Sequence, residues 1–109
     1  MTLKYIMTVG VVIFIREKGH VIAGTVEKSR IMDSRIKDKD MKNDYVYIGK
    51  INDSILVKSD NSDYKFEIKN VKLSPTFIGN TTIGILVYDS ENIHHIKVGD
   101  RVYAIIEDK

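Results

Sequence analysis

The chain has 109 residues, 43% of them apolar, a formal net charge of +2 and no cysteine. That length suits a single domain, because one core grows most comfortably at roughly 100–150 residues. The near-balanced charge excludes a chain committed as a whole to phosphate binding, and the missing cysteines exclude disulfides, thiolate metal sites and cysteine nucleophiles.

Ile and Val supply 28 residues and Ala only two. Such a palette favours strands over helices, since β-branched side chains pack well on a pleated surface. Lys4 followed by the apolar run Tyr5 to Ile15 has the outline of a signal peptide. The run ends in Arg16-Glu17-Lys18 without a small-residue cleavage site, which favours a strand, and no stretch is long enough to span a bilayer. Between Val9 and Ile15 both alternation classes are apolar, predicting a central strand covered on both faces. Gly19 then supplies a turn into a second strand over His20 to Glu27.

Residues 28 to 44 change character. Six basic side chains, Lys28, Arg30, Arg35, Lys37, Lys39 and Lys42, alternate with Asp33, Asp38 and Asp40 around Ile31, Met32, Ile36 and Met41. A charged loop or a short helix is expected there, and long loops in small domains are often functional. Strands resume at Tyr45 to Ile51, with Asn52-Asp53 as a tight turn and Ile55 to Lys58 pairing back. After a turn at Asp60 to Asp63, Tyr64 to Lys69 alternates cleanly and reads as a half-exposed strand, which Val71 and Leu73 extend until Pro75 ends it. Thr82 to Tyr88 and Arg101 to Glu107 complete the set, separated by turns at Asp89 to Asn92 and at Gly99-Asp100.

Seven or eight short strands with little helix predict an all-β fold in one domain spanning residues 1–109. A small closed or partly open barrel is favoured because closure removes exposed edges, and a sandwich is the alternative. The phrase Lys97-Val98-Gly99-Asp100-Arg101-Val102-Tyr103 resembles the turn-then-strand of SH3-like, OB-like and double-psi barrels. Its Gly and Asp explain it structurally, as a tight turn whose carboxylate accepts backbone amides. An internal echo adds a possible duplication: Val9-Gly10-Val11-Val12-Ile13-Phe14, then His20-Val21 and Gly24, against Ile83-Gly84-Ile85-Leu86-Val87-Tyr88, then His95-Ile96 and Gly99. Gly10 and Gly84 would be equivalent sites of close backbone approach or bulging.

Chemistry is sparse. His94 and His95 are adjacent and in a strand would point to opposite faces, so they make a poor metal pair. Asp89, Glu91 and Asp100 fall at turns, no serine sits in a nucleophile elbow, and no glycine-rich phosphate loop or dinucleotide fingerprint occurs. The sequence therefore implies no enzyme and no cofactor. The leading expectation is a cytoplasmic interaction or assembly module, homo-oligomeric or bound to another protein and without a membrane partner, because strands apolar on two faces need a cover. The second is nucleic-acid binding by the six basic residues of the 28–42 segment, with Tyr45 and Tyr47 available to stack. The third is a small-ligand or metal-binding domain.

Overall fold

The computed structural model describes residues 2–27, 31–32, 46–47, 53–75 and 79–106. Seven strands form one antiparallel sheet: β1 (Thr2–Thr8), β2 (Val11–Ile15), β3 (Gly19–Glu27), β6 (Ser54–Lys58), β7 (Asp63–Pro75), β8 (Asn80–Val87) and β9 (Arg101–Ile106), in the order β1-β9-β6-β7-β8-β3-β2. Two further strands, β4 (Ile31–Met32) and β5 (Val46–Tyr47), pair in parallel apart from it. The one helical element among the described residues is a 3-10 turn at Glu91–His95. The all-β expectation thus holds, and the radius of gyration, 13.4 Å, is that of a compact globule.

The alternation that the sequence displays is what buries the core. Along β8, Thr81, Ile83, Ile85 and Val87 point inward while Thr82, Gly84 and Leu86 point outward. Ile55, Val57 and Phe66 follow the same rule on β6 and β7, Val102 and Ala104 on β9, and all join Ile6, Met7 and Ile22 in a single cluster. Each fully buried Ile, Val or Phe is worth ~1.5–3 kcal/mol of transfer free energy. Ile93 and Ile96, projecting from the 3-10 turn and the residue after it, complete the cluster. That turn is started by Ser90, whose Oγ accepts from the Asn92 amide at 3.2 Å.

β7 makes the corner of the sheet. Its first part, Asp63 to Glu67, pairs with β6, and its second, from Ile68 to Pro75, pairs with β8, with a register shift between Ile68 and Asn70. A bulge bends a strand at such a point. Because β7 belongs to both halves, the sheet is continuous and the sandwich of two separate sheets does not form.

The barrel does not close either. β1 and β2 are consecutive in the chain yet lie at opposite edges of the sheet, joined only by Val9 and Gly10. Val9 is buried and tied to the turn before β9, its amide donating to the Asp100 carbonyl (2.7 Å) and its carbonyl accepting from Gly99 (2.9 Å). The next amide, Gly10, donates instead to Ala23 of β3 (2.8 Å). The chain therefore crosses from one sheet edge to the other at this junction. The end of β1 lies on the face of β3 and not beside it: a Cβ at Gly24 would collide with the Thr8 carbonyl oxygen and lie 2.9 Å from Met7 Sδ. Face-on crossing of this kind replaces the edge-to-edge ladder that closure requires.

Three local expectations are also corrected. The apolar run from Tyr5 to Ile15 divides into two strands at Val9-Gly10, and Val11 to Ile15 forms an edge strand, not a central one. Ile55 to Lys58 pairs with β7 and β9, while the described part of the 45–51 stretch, β5, pairs with β4. The echo stops at the hexapeptides: His20, Val21 and Gly24 lie in β3, whereas His95, Ile96 and Gly99 lie in the 3-10 turn and the turn after it.

Candidate functional site

The feature that departs furthest from ordinary surface design is β2. Its five residues, Val-Val-Ile-Phe-Ile, are all apolar, yet Val11 is 43%, Ile13 45%, Phe14 63% and Ile15 39% exposed. Its register with β3 runs without a shift from Val11↔Ala23 to Ile15↔Gly19. An edge strand leaves every second amide and carbonyl without a partner in its own sheet, and proteins usually blunt such an edge with a charge, a proline or a bulge. β2 has none of the three. The other edge, β1, carries Lys4 and a register shift between Tyr5 and Met7, and packs against β5.

Val11, Ile13 and Ile15 share the outer face of the sheet. Ile13 lies opposite Val21, which lies opposite Leu86, so an apolar row crosses three strands before Asn70 of β7 ends it. Gly84, one row along, leaves this face flat, and Lys72 borders it. The hairpin that carries β2 is firmly made. Glu17 (φ 71°) and Gly19 (φ 122°) take the left-handed conformations that the turn needs, Lys18 N–H donates to the Ile15 carbonyl (3.0 Å), and Lys69 Nζ donates to the Lys18 carbonyl (2.8 Å).

A second outer face, on β1, β9 and β6, has a different chemistry. Tyr5 lies opposite Tyr103, with ring centroids 5.8 Å apart in an edge-on arrangement, and Tyr103 lies opposite Leu56. One row further on, Thr8 faces Arg101 and Arg101 faces Lys58. The Tyr5 hydroxyl hydrogen-bonds Thr8 Oγ1 at 2.6 Å, and Lys58 Nζ sits 5.4 Å from the centre of the Tyr103 ring. Lys58, Arg101 and Tyr103 line a polar depression of about 400 Å³, together with Ser59, Asp60, Gly99 and Asp100.

The histidines do not converge on one centre. His94 meets His20 edge-on (6.4 Å between centroids) while His95 stacks flat on Tyr64 (5.2 Å, 5° between planes), so the two neighbours diverge although they sit in a 3-10 turn and not in a strand. His20 also packs against Phe14 at 5.0 Å, and a shallow depression beside it is lined by Asp89, Ser90, Glu91 and Ile93. Among the described residues no group of three or more His, Cys, Asp or Glu could hold a metal, and no helix is long and apolar enough to cross a membrane.

Asp100 does what its position in the turn implies, its Oδ2 accepting the Lys97 amide at 3.0 Å while Gly99 takes φ 99°. Lys97 itself donates to Asp60 Oδ2 at 2.6 Å, and that hydrogen bond, with the attraction of the Asp60 charge, raises the lysine above its ordinary range. Lys28, Arg30, Arg35, Lys37, Lys39, Lys42 and Tyr45 lie outside the described residues. Tyr5, Tyr103, Lys58 and Arg101 do not stand out in the sequence. Their only signal is that each occupies an outward position in an alternating strand; their meeting across β1, β9 and β6 is non-local.

Comparison of the chain with family models, curated proteins and solved structures finds no match. Fold and surface therefore define it as a small all-β protein built on one open antiparallel sheet.

Proposed function

We propose that the protein is a non-catalytic assembly module that joins a second copy of itself by pairing β2 edge to edge. The observation that carries the reading is an unprotected edge strand whose side chains are apolar on both faces. Unpaired edge backbone is a template for another strand, and apolar side chains on both sides of it supply the driving force.

An antiparallel pair of β2 strands centred on Ile13 sets Val11 against the second copy's Ile15, Val12 against its Phe14, and Ile13 against its own equivalent. Each is a β-branched or aromatic–β-branched pair, worth ~0.2–1 kcal/mol beyond an alanine pair. No like charges meet, because the strand carries none. The two-fold axis also makes the apolar rows of Ile13, Val21 and Leu86 continuous across the two sheets, which is the cover that the outer face lacks. The absence of cysteine suits such a module to a reducing, cytoplasmic setting.

Light scattering coupled to size exclusion tests the reading. The unmodified chain should run as a dimer that persists in high salt, and Ile13→Lys should run as a folded monomer whose melting midpoint no longer depends on protein concentration. A monomeric unmodified chain at high concentration, or an Ile13→Lys variant that still associates, overturns it.

A further inference from the structure

The face formed by β1, β9 and β6 poses its own question, independent of β2. Lys58 and Arg101 are direct cross-strand neighbours on the outside of the sheet, and both are exposed. Like charges placed directly opposite one another destabilise a sheet. Among the described residues neither is held by an ion pair: Asp63, opposite Lys58 on β7, does not reach it, and Asp60 is engaged by Lys97. Two cations side by side, neither taken up by an ion pair among the described residues, form a place where an anion gains from both, and guanidinium and ammonium groups are the usual partners of phosphate.

Immediately along the same strands stand two tyrosines. Tyr103 is half-buried and flanks Arg101 by two residues, with Tyr5 edge-on beside it and Leu56 on its other side. Among the described residues the group over its ring is the Lys58 ammonium, on a long flexible side chain that can swing toward a phosphate and uncover the aromatic face. Rings on the outside of a sheet next to cations match the alternation of base and phosphate along a single strand, whereas a duplex keeps its base faces hidden. We infer that the β1-β9-β6 face binds single-stranded nucleic acid, with Lys58 and Arg101 on backbone phosphate and Tyr103, supported by Tyr5, stacking on a base.

This site shares no residue with the β2 edge and none with the basic 28–42 segment. The test is fluorescence anisotropy with a short labelled single-stranded oligodeoxythymidylate, repeated across a salt series, with a duplex and inorganic polyphosphate as competitors. Lys58→Ala and Arg101→Ala should each weaken binding several-fold at low salt and each flatten the salt dependence by about one phosphate contact. Tyr103→Leu should weaken it by about tenfold or more while Tyr103→Phe retains it, as base stacking requires. The duplex and polyphosphate should compete poorly. Ile13→Lys should bind as the unmodified chain does, so failure of the assembly reading leaves this one standing. Three results overturn the inference: no binding at low salt; equal competition by polyphosphate with Tyr103→Leu unaffected; or binding abolished by joint reversal of Lys37 and Lys39 to Glu and unchanged by Lys58→Ala and Arg101→Ala. Circular dichroism melts should show that the four variants at Lys58, Arg101 and Tyr103, all outward positions, remain folded.

Discussion

The hexapeptides that begin at Val9 and Ile83 have nearly the same pattern and, beyond their buried first residues, opposite fates. In β8, Ile83, Ile85 and Val87 are fully buried, and strands on both sides satisfy the backbone. In β2, Val11, Ile13 and Ile15 face solvent on the outer side, and among the described residues no strand lies beyond. The two flank the same strand, Ala23 of β3 standing between Val11 and Gly84. An apolar run therefore declares that burial is needed without saying whether the chain itself supplies it. β8 finds its cover within the fold; among the described residues β2 has no cover on its outer side.

The comparison breaks most visibly under charge. Ile85→Asp should unfold the protein, costing about 4 kcal/mol or more, because an unpaired carboxylate would enter a fully buried site. Compared at concentrations low enough to keep both monomeric, Ile13→Asp should stay within about 0.5 kcal/mol of the unmodified chain, as surface substitutions usually do, while at higher concentration it changes the oligomeric state. Denaturant melts of both read the contrast, and equal destabilisation would show that the two strands are not different in kind. Of these two echo strands, only β2 offers substitutions that report on an interface.

A smaller effect sharpens it through the glycines. Gly24→Ala should cost about 1–3 kcal/mol, since the added methyl meets the Thr8 backbone where β1 crosses β3. Gly84→Ala, whose methyl would lie 3.4 Å from Val21 Cγ1 and 3.9 Å from the Lys72 carbonyl, should cost less than about 1 kcal/mol. The ordering of the two denaturation midpoints is the measurement. Neither Gly10 nor Gly84, the pair that the echo singles out, marks the close approach; Gly24 does.

Next in size is the turn that fastens the β1–β2 junction. Asp100→Ala removes the acceptor of the Lys97 amide from a buried position and should cost about 1–2 kcal/mol, read as a lower melting midpoint. The smallest effect concerns Lys97. Its raised value means that the Asp60 contact stabilises the fold below the ordinary lysine range and is lost as pH climbs through the raised value. Both groups are well exposed, so solvent screens the gain. Asp60→Asn should leave the midpoint at neutral pH almost unchanged and remove a slight extra loss in strongly alkaline solution.

Much of the fold is legible where the cause is local. Tyr64 to Lys69 alternates as written, Pro75 ends its strand, Gly19 and Gly99 take positive φ, and Asp100 accepts a backbone amide. What is not legible depends on residues far apart in the chain. Nothing near Val9-Gly10 states that this junction crosses between opposite edges of the sheet, because that follows from Asp100, Gly99 and Ala23 meeting it. Closure fails for the same reason, since Gly24 invites Thr8 onto the face of β3. Lys58 and Arg101 are ordinary strand-end charges until the β6–β9 register sets them opposite each other.

The proposed pairing has β2, alone of the two sheet edges, completed by a second copy. Hydrogen exchange at low and high protein concentration tests it most directly. Amides of Val11 to Ile15 should gain protection as concentration rises while those of β1 do not change. Protection of β2 that is independent of concentration, or a gain confined to β1, would contradict it.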